Sequence, residues 1–476
     1  MTVQPTPNPF QEFHERLVQS TLSPAQRGEA WTIFKTHGAD AAYAFLQAVS
    51  AANEAHPDAR LRPDALPFAV WGREYIEESS MEQMRGAMRL PISVAGALMP
   101  DAHKGYGLPI GGVLATEGAV IPYAVGVDIA CRMMMTIYDM PPDALETPGD
   151  SFLRGLHAAL LNHTIFGARG GGTHDGSIEH AVLDASRWNA TPLLNTLRLT
   201  AIHQIGTSGT GNHFVEWGAL DLKPDNPFGM AAGRYLALLS HSGSRGVGYQ
   251  IADHYSKLAM SRMPTLDDSV RHLAWLPLES EAGQEYWHAM TLAGEFASAN
   301  HHVIHARVAA SVGLTPAASV ENHHNFAWKE THSIDGQPRE VIVHRKGATP
   351  AGDHVLGVIP GTMADVGYIV RGKGDARALT SASHGGGRAM SRTQAKKTIT
   401  HEDHRAYLRA RGVTLIGGGL DEAPQAYKPI ADVIGAQLDL VEIIGTFQPK
   451  LVRMASDRDS NSRKPVPKGV VDREGD

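Results

Sequence analysis

Apolar positions recur at spacings of three and four in "FQEFHERLVQS" and "AWTIFKTHGADAAYAFLQAVSAA", which predicts helices across residues 10–60. From about residue 90 the texture changes to short apolar runs bounded by glycine-rich turns. "ISVAGALMP", "GGVLATEGAVIP" and "RMMMTIYDM" read as strands. Helical spacing returns around 152–163, 177–200 and 282–310. A second strand-rich half follows in "EVIVHRKGA", "HVLGVIPGTM", "VGYIVRG", "VTLIGGG" and "VEIIGTF". The last 21 residues, "SDRDSNSRKPVPKGVVDREGD", carry no core pattern and predict a solvated tail. The expectation is an α+β fold of mixed strands and helices, with its chemistry on loops between short strands.

Composition narrows this picture. The 476 residues are 42% hydrophobic and 20% charged, enough for a sizeable core. Length suggests about two to four domains or one large catalytic unit. The single cysteine, Cys131, excludes an intramolecular disulfide framework and points to a reducing setting. The start, "MTVQPTPNPF", lacks the basic and apolar regions of a secretory signal. No stretch approaches the roughly 18 uninterrupted apolar residues of a spanning helix. A soluble, cytoplasmic protein without a membrane partner is therefore expected. A net charge of −7 argues against indiscriminate nucleic-acid binding. Residues 371–411 nevertheless hold ten Lys/Arg against three Asp/Glu, so a local basic site remains open.

Five segments combine reactive side chains with tight turns. In "PDAHKGYGLPIGG" followed by "GVDIACR", Asp128 and Cys131 are three apart, so one turn can aim both at an ion. A capping Asp beside a buried free Cys is the plainer reading of that pair taken alone. "GTGNHFVEW" runs into a strand in which His213, Val215 and Trp217 share one face, while Asn212, Phe214 and Glu216 share the other. "SHSGSRG" places His241 at the end of an apolar run, and "ENHHNFAWKE" holds His323 and His324. Asp, Cys and several His at strand ends suit a borderline transition metal such as Mn, Zn or Co.

The fifth segment, "SHGGGRAMSR", sets His384 before three glycines, with Arg388 behind them. The residue types alone allow a metal ligand, a nucleophile or a side chain at the lip of a phosphate loop. "HRKGATP" adds Arg345 and Lys346 at a glycine turn. "NHHVIH" spaces His301 and His305 four apart but lacks the Glu of a hydrolytic zinc motif, so surface or interface histidines are expected there.

Taken together, "PDAHKGYGLPIGGV", "GVDIAC", "GNHFVE", "HSGSRG", "HHNFAWKE", "HRKGAT", "SASHGGGRAMSR" and "DEAPQAYK" resemble the RtcB family of RNA-splicing ligases, in that family's order, over roughly 90–454. The resemblance implies a single catalytic fold over 61–455, with a helical extension over 1–60 and a flexible tail over 456–476. It implies ligation of RNA ends carrying a 2′,3′-cyclic phosphate or 3′-phosphate to 5′-hydroxyl ends. Mn²⁺, in two ions, and GTP are the implied cofactors. RNA is the implied partner, and the resemblance admits an activating protein as well.

Residue by residue, Asp128, Cys131, His213, His241 and His324 match the family's metal ligands. His324 is preferred to His323 because the family's ligand directly precedes the Asn. His384 matches the histidine that becomes guanylylated. Asn212, Phe214, Glu216, Lys346, Thr362, Gly386, Gly387, Arg388 and Tyr427 are the implied nucleotide neighbours. The basic stretch 371–411 is expected to hold RNA phosphates.

The chain also departs from the family pattern. Aligning on the proline of "FQPKLVRMA" puts Met454 where the family has a lysine beside the nucleotide. Arg132 stands where a Gly follows the Cys, and Thr362 and Gly367 stand where serines are usual. Two other readings follow from these differences: a metal-dependent RNA-end processing enzyme with cyclic phosphodiesterase activity or altered nucleotide use, and a non-catalytic RNA-binding component.

Overall fold

A computed structural model describes residues 9–19, 24–54 and 59–460. Three helices, Pro9–Gln19, Pro24–His37 and Ala39–Glu54, close on a small core of Phe13, Leu17, Ala30, Ala42 and Leu46. Phe13 stacks on Phe34 with ring centroids 4.5 Å apart and meets Trp31 edge-on at 5.2 Å. From Ala59 onward the chain packs on a different and larger core, through Leu61, Ala65 and Leu66.

Two sheets organise the body. The smaller runs in the order Ala69–Val70, Ser93–His103, Ile110–Thr116, Gln337–Lys346, Asn325–Ile334, antiparallel except for the first pair. The larger runs Leu356–Ile359, Gly367–Gly372, Val441–Met454, Phe214–Leu222, Gly233–Ser242, Arg132–Tyr138, Ala318–His323, all antiparallel. Thr414–Ile416 joins it in parallel beside Val441–Met454.

The larger sheet alternates with a period of two, as strands buried on both faces require. Met133, Met135, Phe214, Leu239 and Phe447 fill one face. Val215, Trp217 and Leu238 face the other way, towards Leu156 and Leu160 of helix Ser151–His163 and Ile304 and Val308 of helix Glu281–Ser311. The two edge strands meet through one side chain. Asn322 Oδ1 accepts the Val358 N–H at 2.8 Å and its Nδ2 donates to the Val358 carbonyl at 3.3 Å. An amide side chain thus takes the place of a ladder partner at the Val358 edge.

Several elements differ from the sequence pattern for local reasons. The helix expected over 177–200 is broken into a turn at Ala181–Leu183 and helices Ala185–Trp188 and Pro192–Gln204. Asp184 caps one helix and Thr191 the next, and Pro192 supplies a helix start that has no N–H to satisfy. Strand Val441–Met454 passes straight through Pro449, with a register shift between Pro449 and Leu451 that absorbs the missing donor. Helix Arg245–Arg262 had no clear signal in the spacing.

His301 and His305, expected at a surface or interface, are instead buried. Ser240 Oγ lies 2.6 Å from His301 Nδ1 and 2.8 Å from His305 Nε2, and Thr136 Oγ1 lies 2.7 Å from His305 Nδ1. The helix turns that face inward, and hydroxyls on the neighbouring strands satisfy the rings. Of the tail expected from residue 456, Asp457–Ser460 forms a short helix, while 461–476 lie outside the described residues. Among the described residues no helix is long and apolar enough to cross a membrane.

The closure of the larger sheet generates a prediction. Asn322→Ala leaves the Val358 N–H and C=O without their partner, and is expected to cost about 1–3 kcal/mol, read as a lower urea midpoint.

Candidate functional site: a metal-ligand cluster facing an oriented histidine

Register brings the candidate ligands together. Cys131 immediately precedes strand Arg132–Tyr138, and His213 precedes Phe214–Leu222. His241 is the penultimate residue of Gly233–Ser242, and His324 directly follows Ala318–His323. Arg132 stands opposite both Ser242 and His323, and Phe214 opposite His241, so four donors finish in one row across four neighbouring strands.

Asp128 reaches the same place by a tight turn. Ala130 adopts φ 56°, the Cys131 N–H donates to the Asp128 carbonyl at 3.2 Å, and the Ala130 N–H donates to the Asn325 carbonyl at 2.7 Å. A Cβ on Gly243 would lie 2.1 Å from Asp128 Oδ1, so only glycine admits the carboxylate there.

The donor atoms converge in two triads that share the sulfur: Cys131, His241, His324 and Asp128, Cys131, His213. Cys131 Sγ lies 3.1 Å from His241 Nε2 and 3.5 Å from His213 Nε2. His241 Nε2 lies 3.3 Å from His324 Nε2, and His213 Nε2 lies 3.2 Å from Asp128 Oδ2. His213 Nδ1 faces the Ser208 carbonyl at 2.7 Å and His241 Nδ1 the Asn212 carbonyl at 3.3 Å. A carbonyl accepts only from N–H, so in the neutral rings both Nε2 atoms present lone pairs to the cluster.

Burial, then the neighbouring His213 imidazole, pushes the His241 ring down to about 3. Burial and the Asp128 carboxylate push the Cys131 thiol up. A thiolate among lone pairs at this depth needs a cation to be stable. The donor spacings match ligands of a common ion with bonds of about 2.0–2.3 Å. The donor set of each triad therefore fits a borderline divalent metal.

His384 follows the short strand Ser381–Ser383 and faces this cluster, its ring centroid 4.7 Å from that of His324. Asp101, fully buried, fixes it. Asp101 Oδ2 accepts from His384 Nδ1 at 2.7 Å and from the His384 backbone N–H at 3.1 Å. The Nδ1 proton is thereby held on the aspartate side, and Nε2 keeps its lone pair. Lys428 clamps the backbone on either side, donating to the carbonyls of Pro100 at 3.2 Å and Ala102 at 2.7 Å. Of the glycines after His384, Gly387 lies against Asp101 itself. Gly387 has φ +69°, and a Cβ there would lie 2.1 Å from the Asp101 carbonyl oxygen.

Asp101 was missed by the sequence reading, although "PDAHKGYG" contains it. The usable signal was an acidic residue inside an apolar strand that ends at a glycine turn.

The cluster and His384 open on one cleft of about 870 Å³, within the size range of small-molecule sites. Asn212, Phe214, Lys346, Thr362, Gly386, Gly387, Arg388, Tyr427 and Met454 line it. Burial pushes the Lys346 ammonium down to about 7. Thr362 Oγ1 donates to Asp365 Oδ2 at 2.6 Å.

Arg388 is held by protein partners: Glu422 Oε2 at 2.9 Å, the Asp421 carbonyl at 2.6 Å and the Tyr427 hydroxyl at 3.2 Å. Glu216 does not line the cleft. It is 2% exposed, on the same strand face as Phe214, and burial raises its carboxyl well above the usual range. Gly367 also lies outside the lining, in the strand between Leu356–Ile359 and Val441–Met454.

Arg132 is buried and pairs with Glu321 at 2.8 Å. Much of the basic stretch 371–411 is likewise engaged with acids, in Arg371–Glu442, Arg377–Asp375, Arg392–Glu422 and Arg411–Asp365 pairs. Folding spends charges that the sequence shows as a net excess.

Fold and cleft define an α+β protein whose candidate two-site metal centre faces an aspartate-oriented histidine. A family model described as tRNA-splicing ligase RtcB matches residues 83–455. The chain is 32% identical over 419 residues to the RNA-splicing ligase RtcB of Escherichia coli (strain K12), covering 82% of this chain and 97% of that protein. It is 35% identical over 402 residues to the RNA-splicing ligase RtcB of Mycobacterium tuberculosis (strain ATCC 25618 / H37Rv), covering 72% and 92%. With the tRNA-splicing ligase RtcB of Nanoarchaeum equitans (strain Kin4-M) the identity is 32% over 440 residues, covering 79% and 91%. The chain belongs to the RtcB family of RNA ligases.

The shared sulfur makes the two triads unequal to mutation. Equilibrium dialysis against Mn²⁺ is expected to find two ions bound to the native chain and one to Asp128→Ala. Cys131→Ala, which removes a donor from both triads, is expected to bind neither tightly.

Proposed function

We propose that this chain joins RNA 3′-phosphate or 2′,3′-cyclic phosphate ends to 5′-hydroxyl ends, using GTP and Mn²⁺ through a covalent His384–GMP. The observation that carries the reading is the buried Asp101–His384 pair opening onto the Asp128, Cys131, His213, His241 and His324 cluster. In this reading the catalytic unit is 61–455, with 1–60 an extension and 456–476 a tail.

His384 Nε2 attacks the α-phosphorus of GTP, its bond to the bridging oxygen breaks, and pyrophosphate leaves. Asp101 holds the Nδ1 proton throughout, keeps the ring in the attacking tautomer and balances the charge that develops on it. Manganese in the two triads supplies neutralisation of charge on phosphate oxygens. An oxygen of the RNA 3′-phosphate then takes GMP from His384, a cyclic phosphate having first been opened by water. The 5′-hydroxyl attacks the activated phosphorus, and GMP departs. Asn212, Phe214, Thr362, Gly386, Gly387, Arg388 and Tyr427 surround the nucleotide in this reading. Lys346 lies by its phosphates, and Glu216 follows Phe214 on the same strand face.

A second reading is favoured by one residue. Met454 lines the cleft opposite Phe214, and a thioether supplies no charge to a nucleotide. Altered nucleotide preference follows, and would appear as labelling by ATP.

Incubation with Mn²⁺ and α-labelled GTP is expected to label the native chain covalently and to leave His384→Ala unlabelled. Folded, metal-loaded protein that never acquires label from GTP overturns the first reading. Asp101→Asn is expected to slow labelling by on the order of 10²–10⁴, because an amide N–H facing Nδ1 favours the wrong tautomer.

A further inference from the structure

One side chain at the mouth of the cleft is held out into solvent by a backbone that is otherwise tied down. Tyr106 is 67% exposed, the largest exposure of any large hydrophobic side chain among the described residues. Its ring meets His272 nearly perpendicularly, with centroids 6.1 Å apart, and His272 meets Tyr123 in the same way at 5.1 Å.

The loop beneath the ring is anchored at each step. Gln83, on the distant helix Glu78–Met88, grips Gly105 from both sides, its Nε2 donating to the carbonyl at 2.6 Å and its Oε1 accepting the N–H at 3.1 Å. The buried Lys346 amine donates to the Tyr106 carbonyl. Gly107 has φ +71°, and a Cβ there would press on the His272 carbonyl at 3.2 Å. Such anchoring removes the entropy that ordering a mobile loop on binding would cost.

The loop is also tied to the reacting centre. Lys346 precedes Gly347, where a Cβ would lie 3.1 Å from His384 Cε1. Tyr106 is therefore one lysine side chain away from the Lys346–Gly347 turn that lies against His384. Lys104, exposed and lining the cleft, stands on the same loop.

A solvent-facing aromatic ring on an anchored loop, with a cation nearby, at the rim of a phosphate-handling cleft, is the arrangement that binds single-stranded nucleic acid by base stacking. We propose that Tyr106 is the stacking platform for the terminal base of the RNA strand, with His272 and Tyr123 as its edge-on supports. The proposal rests on the reading of the cleft as acting on RNA ends, and deepens it by naming what orients the end.

The test uses the full chain with Mn²⁺ and short single-stranded RNAs bearing 2-aminopurine. One probe carries it in the 3′-phosphate terminal nucleotide, the other in the 5′-hydroxyl terminal nucleotide, which tells which strand stacks. The expected result is quenching of one probe on binding to the native chain. In Tyr106→Ala that quench is lost and binding is about 5- to 150-fold weaker. Tyr106→Leu, which keeps apolar bulk without a π face, should behave like the alanine variant, and Tyr106→Trp should restore both readouts. Equal affinity and quench in native, Ala and Leu proteins, or no response of either probe to native protein, overturns the proposal. The titration contains no GTP, so failure of GTP labelling counts against the ligase reaction and leaves the stacking result standing.

Discussion

Four strand ends in one row hold the cleft together. Arg132 lies across from Ser242 and His323, and Phe214 across from His241, and this pairing alone brings Cys131, His213, His241 and His324 within reach of one sulfur. A slip of one residue in any of these strands would turn its side chains to the opposite face and scatter the donors. The apolar alternation of Met133, Met135 and Leu239 on one face against Leu238 and Trp217 on the other is what forbids that slip. Core packing and ligand geometry are thus the same constraint seen from two sides.

The polar groups near the cleft are costly to bury, and most find partners. Asp101 is fully buried and spends one oxygen on His384, while Oδ1 is left without a partner. Lys428 lies on the carbonyls beside it and brings a positive charge close. Arg388 and Glu422 neutralise each other at the rim, and Arg345 is buried whole against Glu330 at 2.6 Å. Removing one member of such a pair strands the other, which is why these sites resist substitution more than the worth of the contact suggests. Charge committed to holding loops is not available to a substrate, and this changes how the basic stretch 371–411 reads. Its excess is real in the sequence, and in the fold Arg371, Arg377, Arg392 and Arg411 share it with acidic neighbours.

The candidate ligands and their order were legible because each sits in a short motif that resembles the family's. The spacing of Asp128 and Cys131 left a capping Asp and a buried Cys as the plainer reading, and the choice of His324 over His323 came from the resemblance. The structure gives the second a physical basis, since His324 follows the strand and turns into the cluster, while His323 lies within it beside Phe326 and Trp328. Other features depended on partners distant in the chain. His301 and His305 look like exposed polar positions until Ser240 and Thr136 arrive from other strands to satisfy them. Asp101 has no neighbour in sequence that announces His384, which lies 283 residues later. Pro449 argues against a central strand, and only the bulge beside it explains why the strand continues.

By itself, the sequence determined the candidate site residues, the family the chain belongs to, and the mixed character of the fold, because these live in local motifs and periodicity. Tertiary structure decided which charges are spent, which histidines are buried, and which acid orients His384, because each of those is set by a partner brought close only by folding. It also decided that one tyrosine of a glycine-rich turn stands in solvent at the cleft mouth. That position is fixed by Gln83 and Lys346, neither of which adjoins it in the chain.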